Sequence, residues 1–72
     1  NDDPDKRKRI INTLINKITK NIMKKSNSSK NDIENWVRVE IEKLNWDKDL
    51  DKGSDRKKIR DKLTKKGIKK FK

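Results

Sequence analysis

Residues 33–44 read Ile-Glu-Asn-Trp-Val-Arg-Val-Glu-Ile-Glu-Lys-Leu, and this stretch decides the fold. Its apolar side chains recur at spacings of three and four residues, the period of an α-helix with one buried face. Trp36 lies near the middle of that face, between Ile33 and Ile41. The pattern predicts a helix over residues 31–44 that forms the centre of the core.

The residues just before this helix favour a break in the chain. Ser26-Asn27-Ser28-Ser29 is a run of side chains that bond to their own backbone, which is typical of a loop. Asn31, with Glu34 three positions later, resembles a capping box. We therefore predict that Asn31 caps the helix.

The segment before the break has the pattern of an amphipathic helix over residues 4–25. Asp3 is a good N-cap, and Pro4 suits the first helical position, where a missing N–H costs nothing. One face is apolar and should be buried: Ile11, Leu14, Ile15, Ile18 and Ile22. The opposite face is mostly basic: Lys6, Arg9, Thr13, Lys17, Lys20 and Lys24.

The segment after residue 44 predicts a polar connection and a third helix. Trp46 and Leu50 are the apolar residues of the connection, residues 45–53, and we expect both to pack into the core. A helix over residues 55–66 would be capped by Ser54 and would end at Gly67, in the left-handed conformation common after helices. Ile59 and Leu63 form its narrow apolar stripe, and Ile68 should fold back on Leu63.

Length and composition fit a single small domain. The chain has 72 residues, of which 26% are apolar and 49% are charged, so a thin core and modest stability are expected. We predict one all-α domain over residues 1–72, a compact three-helix bundle of the helix-turn-helix or homeodomain-like type in the broad sense. Because the sequence does not begin with Met, we expect it to be a segment of a longer protein.

Several kinds of chemistry are excluded by residue types. The chain contains no Cys and no His, which rules out disulfides, imidazole catalysis and Cys/His zinc sites. Asp47, Asp49 and Asp51 alternate as in a calcium loop, but Lys52 stands where that loop requires Gly. No nucleophile has an identifiable base partner, and no Gly-rich phosphate loop is present. The sequence therefore predicts a non-catalytic protein without a metal or cofactor.

Charge asymmetry is the main indication of function. Residues 54–72 contain ten Lys or Arg and two Asp, so they carry net +8 of the total +11. A basic helix of this kind suits nucleic acid, because each cation that neutralises a phosphate releases condensed counterions. Duplex DNA is preferred over single-stranded RNA, since three aromatic residues are few for base stacking. The predicted contacts are Lys57, Lys58, Arg60, Lys62, Lys65 and Lys66, with Lys17, Lys20 and Lys24 as a second patch and Arg38 as a lesser candidate.

A resemblance and an alternative accompany this prediction. Residues 14–63 are similar to the C-terminal domain of the DEK chromatin proteins in their first amphipathic helix, the polar break, a second helix beginning near Asp32, the Asp49-Leu50 step and a basic helix with Arg56-Lys57-Lys58-Ile59. We predict a nucleic-acid-binding module that tethers a chromatin or DNA-processing protein, intracellular and, in a eukaryote, nuclear. The alternative is a docking module for an acidic protein, which would leave apolar residues exposed: Met23, Val39, Trp46 and Phe71 are the candidates. Oligomeric state is left open, and no stretch approaches the length of a membrane span.

Overall fold

The computed structural model describes residues 4–72, which form three α-helices and one short turn of π-helix. The helices are α1 (Pro4–Met23), α2 (Lys30–Glu42) and α3 (Gly53–Lys70), and the π turn (Trp46–Leu50) lies between α2 and α3. No β-strand occurs within these residues. The predicted all-α three-helix bundle is confirmed.

The three helices run up, down and up along the long axis of a 41 × 20 × 18 Å body. The break at residues 24–29 is short, so α2 turns back along α1 and brings Ile41 beside Ile11 and Ile15. The π turn then sends α3 back in the direction of α1. Gly53, at the start of α3, lies near Ile10, and Gly67, near its end, lies against Ile22. The parallel alignment of α1 and α3 forms a groove between these two helices, which is described below.

The core consists of the apolar stripes predicted from the sequence. Leu63 is buried as expected, whereas Trp36 is only half-buried and packs on the edge of the core. Trp46 and Leu50 both pack into the core from the π turn, so that prediction is confirmed. The buried hydrophobic residues are Leu14, Ile15, Ile18, Ile22, Ile33, Val37, Ile41, Leu50 and Leu63.

The ends of α1 and α2 differ slightly from the prediction. Asp3, the expected cap of α1, lies outside the described residues. α1 ends at Met23 rather than near Lys25, because the Lys25 N–H bonds to the carbonyl three residues back and tightens the chain into a turn. α2 begins at Lys30 and ends at Glu42.

The N-cap of α2 is Ser29, and the predicted Asn31 cap is wrong. The Ser29 hydroxyl oxygen accepts a hydrogen bond from the backbone N–H of Asp32 at 3.3 Å. Ser29 has an extended backbone, as an N-cap residue requires, whereas Asn31 already lies inside the helix. Ser29 and Asn31 are both residue types that cap helices. Because α2 begins at Lys30, the residue in the N-cap position is Ser29.

The largest difference from the sequence prediction concerns α3, which covers residues 53–70 instead of 55–66. Ser54 lies inside the helix, and the N-cap position is occupied by Lys52 without a side-chain cap. Gly67 is a buried helical residue with negative φ, so it does not end the helix, and Ile68 continues α3 rather than folding back on Leu63. The glycine is needed because α3 packs closely against α1 at this position. In the sequence alone, such a glycine looks the same as one that ends a helix.

The end of α3 is held by the polar break between α1 and α2. The Ser26 hydroxyl donates to the carbonyl oxygen of Phe71 at 2.9 Å, and the Ser28 hydroxyl donates to the same oxygen at 3.4 Å. The Phe71 ring meets the Trp36 ring edge to face, with centroids 5.8 Å apart. These contacts bring the C-terminus of α3 back to the end of α1.

Candidate nucleic-acid interface

A groove between α1 and α3 gathers basic residues from both helices. Its volume is about 640 Å³, and it is lined by Arg9, Ile10, Thr13, Leu14 and Lys17 of α1 and by Gly53, Arg56, Lys57 and Arg60 of α3. Five of these nine residues are cationic, and none is acidic. The groove therefore concentrates positive charge between low-dielectric walls, which strengthens attraction of anions.

The parallel course of α1 and α3 explains how these residues meet. Arg9, Thr13 and Lys17 follow one another at four-residue spacing, so they lie along one side of α1. Arg56 and Arg60 are related in the same way on α3. Because both helices have their N-terminal halves at the same end of the bundle, the two rows face each other across the groove.

Arg56 is fixed in place by the backbone that precedes α3. Its Nη1 donates to the carbonyl oxygens of Leu50 at 2.8 Å and Asp51 at 2.9 Å. These carbonyls belong to the end of the π turn, where helical acceptors lack intrahelical partners. Both contacts are to neutral groups, so the full charge of Arg56 remains beside the groove.

Asp49 has a structural role in the π turn. The Asn45 side chain accepts hydrogen bonds from the N–H groups of Asp47 and Lys48, and an Asp49 carboxylate oxygen accepts from the N–H of Asn45 at 3.0 Å. Asn45 and Asp49 thus cap the turn reciprocally. Within residues 4–72, no cluster of three or more acidic residues has the arrangement of a metal site.

A second row of cations runs along the outer surface of α3. Lys58, Lys62, Lys65 and Lys69 are exposed and are separated by three or four residues, which places them on one face of the helix. We call this set the outer row. It includes three of the predicted contact residues, and it faces away from the apolar stripe of Ile59 and Leu63. Lysines on such a face can meet a ligand without disturbing the core.

The predicted contact residues therefore separate into groups. Lys17, Lys57 and Arg60 line the groove, while Lys58, Lys62 and Lys65 belong to the outer row. Lys20 and Lys24 are exposed and extend the basic side of α1 beyond the groove. Two groove residues, Arg9 and Arg56, were not among the predicted contacts. The short connections between the three helices could have predicted that α1 and α3 run parallel. That alignment would have pointed to Arg9 and Arg56.

Three of the candidate cations have carboxylate partners within the domain: Lys66, Arg38 and Arg60, whose Nε lies 3.6 Å from Asp61 Oδ1. Lys66 Nζ lies 3.0 Å from Glu40 Oε1, and Lys43 Nζ lies 2.9 Å from Glu40 Oε2. Hydrogen bonds from Lys43 and then Lys66 lower the pKa of Glu40 below its usual value, although partial burial opposes them. Arg38 pairs with Glu34 on the same helix at 3.2 Å. Lys66 and Arg38 are thus less available to a ligand than the groove and outer-row cations.

All three aromatic rings pack against the core. Trp36 and Phe71 contact each other, and the guanidinium carbon of Arg7 lies 5.1 Å from the centre of the Trp46 ring. Trp46 and Phe71, two of the candidates for exposed apolar residues under the docking alternative, are partly buried and pack against the core. Met23 and Val39 are exposed, at 40% and 50% of their surface. The chain therefore offers no row of open rings on which bases could stack.

Comparison with known proteins leaves the interface to be interpreted from its own geometry. No protein-family model matches this chain, and neither the curated proteins nor the solved structures give a match. In residues 4–72, no helix is both long and apolar enough to cross a membrane.

Proposed function

We propose that this domain is a non-catalytic nucleic-acid-binding module that holds duplex DNA through its phosphates. The observation that carries the proposal is the meeting of five cations and no carboxylate in the α1–α3 groove, together with the outer row of lysines on another face of α3. Two basic surfaces that share one helix suit a ligand with regularly repeated negative charge. Each neutralised phosphate would add to the affinity by counterion release.

Phosphate contact is favoured over base stacking by the position of the aromatic rings. Proteins that bind single strands generally place several rings at the surface, and here Trp36, Trp46 and Phe71 pack against the core. Base-specific reading in the manner of a helix-turn-helix protein is not part of the proposal, because few side chains here other than Arg56 and Arg60 suit a bidentate base contact. We expect weak sequence preference.

A non-catalytic domain that binds DNA can serve to anchor a larger protein to it. We propose that the domain tethers a chromatin or DNA-processing protein inside the cell, in the nucleus if the source is eukaryotic. Docking to an acidic protein is the competing use of the same cations. Of the four apolar residues that this alternative would expose, Met23 and Val39 are exposed, whereas Trp46 and Phe71 are partly buried against the core, which gives the docking alternative less support than the DNA proposal.

Charge reversal on α3 tests the proposal. Lys57, Lys58, Lys62 and Lys65 are all exposed, so replacing the four by Glu leaves the core residues in place. A matched control changes four exposed lysines outside both surfaces to Glu: Lys25, Lys30, Lys48 and Lys52. Both variants have the same net charge, so only the position of the change differs. Circular dichroism establishes that each remains helical.

Gel shifts with duplex DNA, single-stranded DNA, RNA and an acidic polypeptide then compare the variants. We expect the α3 variant to lose duplex binding and the control to retain most of it. Changing Lys17, Lys20 and Lys24 to Gln should weaken binding only in part. A folded α3 variant with unchanged affinity for duplex DNA would refute the proposed interface, and preference for the acidic polypeptide would favour docking.

A further inference from the structure

Two guanidinium groups of the groove lie deeper than the lysine at its rim. Arg56 and Arg60 are half-buried between α1 and α3, unlike the exposed Lys57 at the rim. A DNA duplex is wider than its own major groove, which alone is about 12 Å wide, whereas packed helices have axes about 8–10 Å apart. A duplex therefore does not enter the α1–α3 groove and would contact its rim. The cations inside the groove are left for a smaller anion.

These interior cations are poorly neutralised by the domain itself. Fully buried charges are normally paired, because removing a charge from water is costly, and partial burial of a guanidinium carries part of that cost. Arg56 is held by two carbonyl oxygens and no carboxylate, and Arg60 has only the Asp61 carboxylate of its own helix, at 3.6 Å from Nε. Asp61 is exposed, so it does not fill the groove. An anion inside the groove would complete both environments.

The size and form of the groove limit that anion to a compact one. A volume of about 640 Å³ lies within the range of small-ligand sites, about 300–1,000 Å³. Arg56 and Arg60 are separated by one helical turn, about 6 Å along α3, and Arg9 and Lys17 by about 12 Å along α1. Cations at these intervals suit several phosphates joined directly to one another. Ile10 and Leu14 provide apolar lining beside them.

The site is also organised before a ligand arrives. Arg56 is fixed by its two carbonyl acceptors, so little side-chain entropy is lost when it binds an anion. A single phosphate would leave most of the five charges unbalanced, whereas a polyphosphate can contact cations on both walls. We propose that the α1–α3 groove is a binding site for compact polyphosphates, either free or carried by a nucleoside.

This second ligand class goes beyond the DNA proposal and can be tested without nucleic acid. Isothermal titration calorimetry at low salt would measure binding of inorganic tripolyphosphate and of ATP. We expect one ligand to bind per protein. In thermal denaturation, tripolyphosphate should raise the melting temperature more than sodium sulfate of the same ionic strength does. Tighter binding of ATP would assign a nucleoside-carried ligand, through contact with Ile10 and Leu14, and equal binding would assign a free polyphosphate. Both results support the site.

Two variants with the same loss of charge locate the ligand. Arg60→Gln removes a groove cation, and we expect tripolyphosphate affinity to fall about ten-fold, as for loss of a charged hydrogen bond. Lys69→Gln removes an outer-row cation and should change affinity less than about two-fold. Arg60→Lys should restore part of the binding. If Arg60→Gln fails to fold, Lys57→Gln at the rim replaces it, with an expected loss of about three-fold or more.

The outcomes separate this inference from the proposed function. Equal losses in the groove variant and Lys69→Gln, several ligands per protein, or an effect reproduced by sulfate would overturn the groove site and indicate only diffuse charge. Tripolyphosphate binding in a protein that does not bind DNA would uphold the groove site and reject the proposed function. DNA binding without tripolyphosphate binding would do the reverse.

Discussion

Gly67 of α3 lies so close to Ile22 of α1 that a Cβ at position 67 would come within 2.8 Å of Ile22 Cγ1, and closer still to its Cδ1. The same Cβ would lie 3.0 Å from Cζ3 of Trp36. Ile22 is fully buried and therefore has little room to move. This contact allows α1 and α3 to approach, and that approach forms the groove.

Gly67→Ala should therefore destabilise the domain, although alanine is the better helix former. The favourable propensity change is about 1 kcal/mol, whereas overpacking of a tight core costs about 1–3 kcal/mol. We expect a net loss of up to about 2 kcal/mol in the free energy of unfolding, measured by urea denaturation. Gly53→Ala is the matched control, because its nearest contact would be Arg56 Nη2 at an ordinary 3.7 Å. A Gly67→Ala protein at least as stable as that control would show that the helices can separate freely.

The edge-to-face contact of Trp36 with Phe71 should contribute to stability beyond the area it buries. Trp36→Ala is expected to cost about 2–4 kcal/mol, less than for a fully buried tryptophan. A double-mutant cycle with Phe71→Ala should give a coupling energy of about 0.5–1.5 kcal/mol. Val39→Ala, at a residue that is 50% exposed, should change stability by less than about 0.5 kcal/mol. Additive effects of the two aromatic substitutions would argue against the contact.

Two serines in similar sequence contexts should respond differently to alanine. Ser29 caps α2 through a hydrogen bond to the Asp32 N–H, so Ser29→Ala should cost about 1 kcal/mol. Ser54 lies in the first turn of α3 without a capping bond, and Ser54→Ala should be within about 0.5 kcal/mol of neutral. Thermal denaturation of the two variants compares them directly. A larger cost at Ser54 would return α3 to the start predicted from the sequence.

The ion pairs of Glu40 should make stability depend on pH in acid. Because its pKa is lower in the folded than in the unfolded state, the contribution is fully present above the ordinary glutamate pKa, about 4.3, and is lost as pH falls through the lowered value. Lys43 and Lys66 have side chains that are 69% and 61% exposed, which limits the contribution to about 0.5–1 kcal/mol. The stability difference between the native protein and Glu40→Gln should therefore shrink toward pH 3. A difference that grew in acid would contradict this sign.

Affinity for duplex DNA should fall steeply with salt. The slope of log K against log salt is about −0.9 per phosphate contact, so four to six contacts predict a slope near −4 to −5. Fluorescence anisotropy with a labelled duplex at a series of salt concentrations would measure it. Replacing Lys62 and Lys65 by Gln should make the slope shallower by about 2 units. A flat dependence on salt, or tight binding to one short sequence only, would exclude phosphate contacts as the source of affinity.

The helices were predictable because their information is local. The apolar spacing around Trp36 and in residues 11–22 identified α1, α2 and nearly all of the core, since a helix must turn one stripe inward. The pattern also identified Leu50 as a core residue and the lysines at positions 58, 62 and 65 as exposed. Composition alone placed net +8 in the last nineteen residues.

Tertiary packing decided what local patterns leave open. From the sequence, Gly67 could either end a helix or allow two helices to approach closely. Only the position of Ile22 on the facing helix distinguishes the two cases. The groove arose in the same way. Arg9 and Arg60 are 51 positions apart, and nothing local relates them. Both line the groove because short connections align α1 with α3, and burial of both apolar stripes leaves the charged flanks of the two helices side by side.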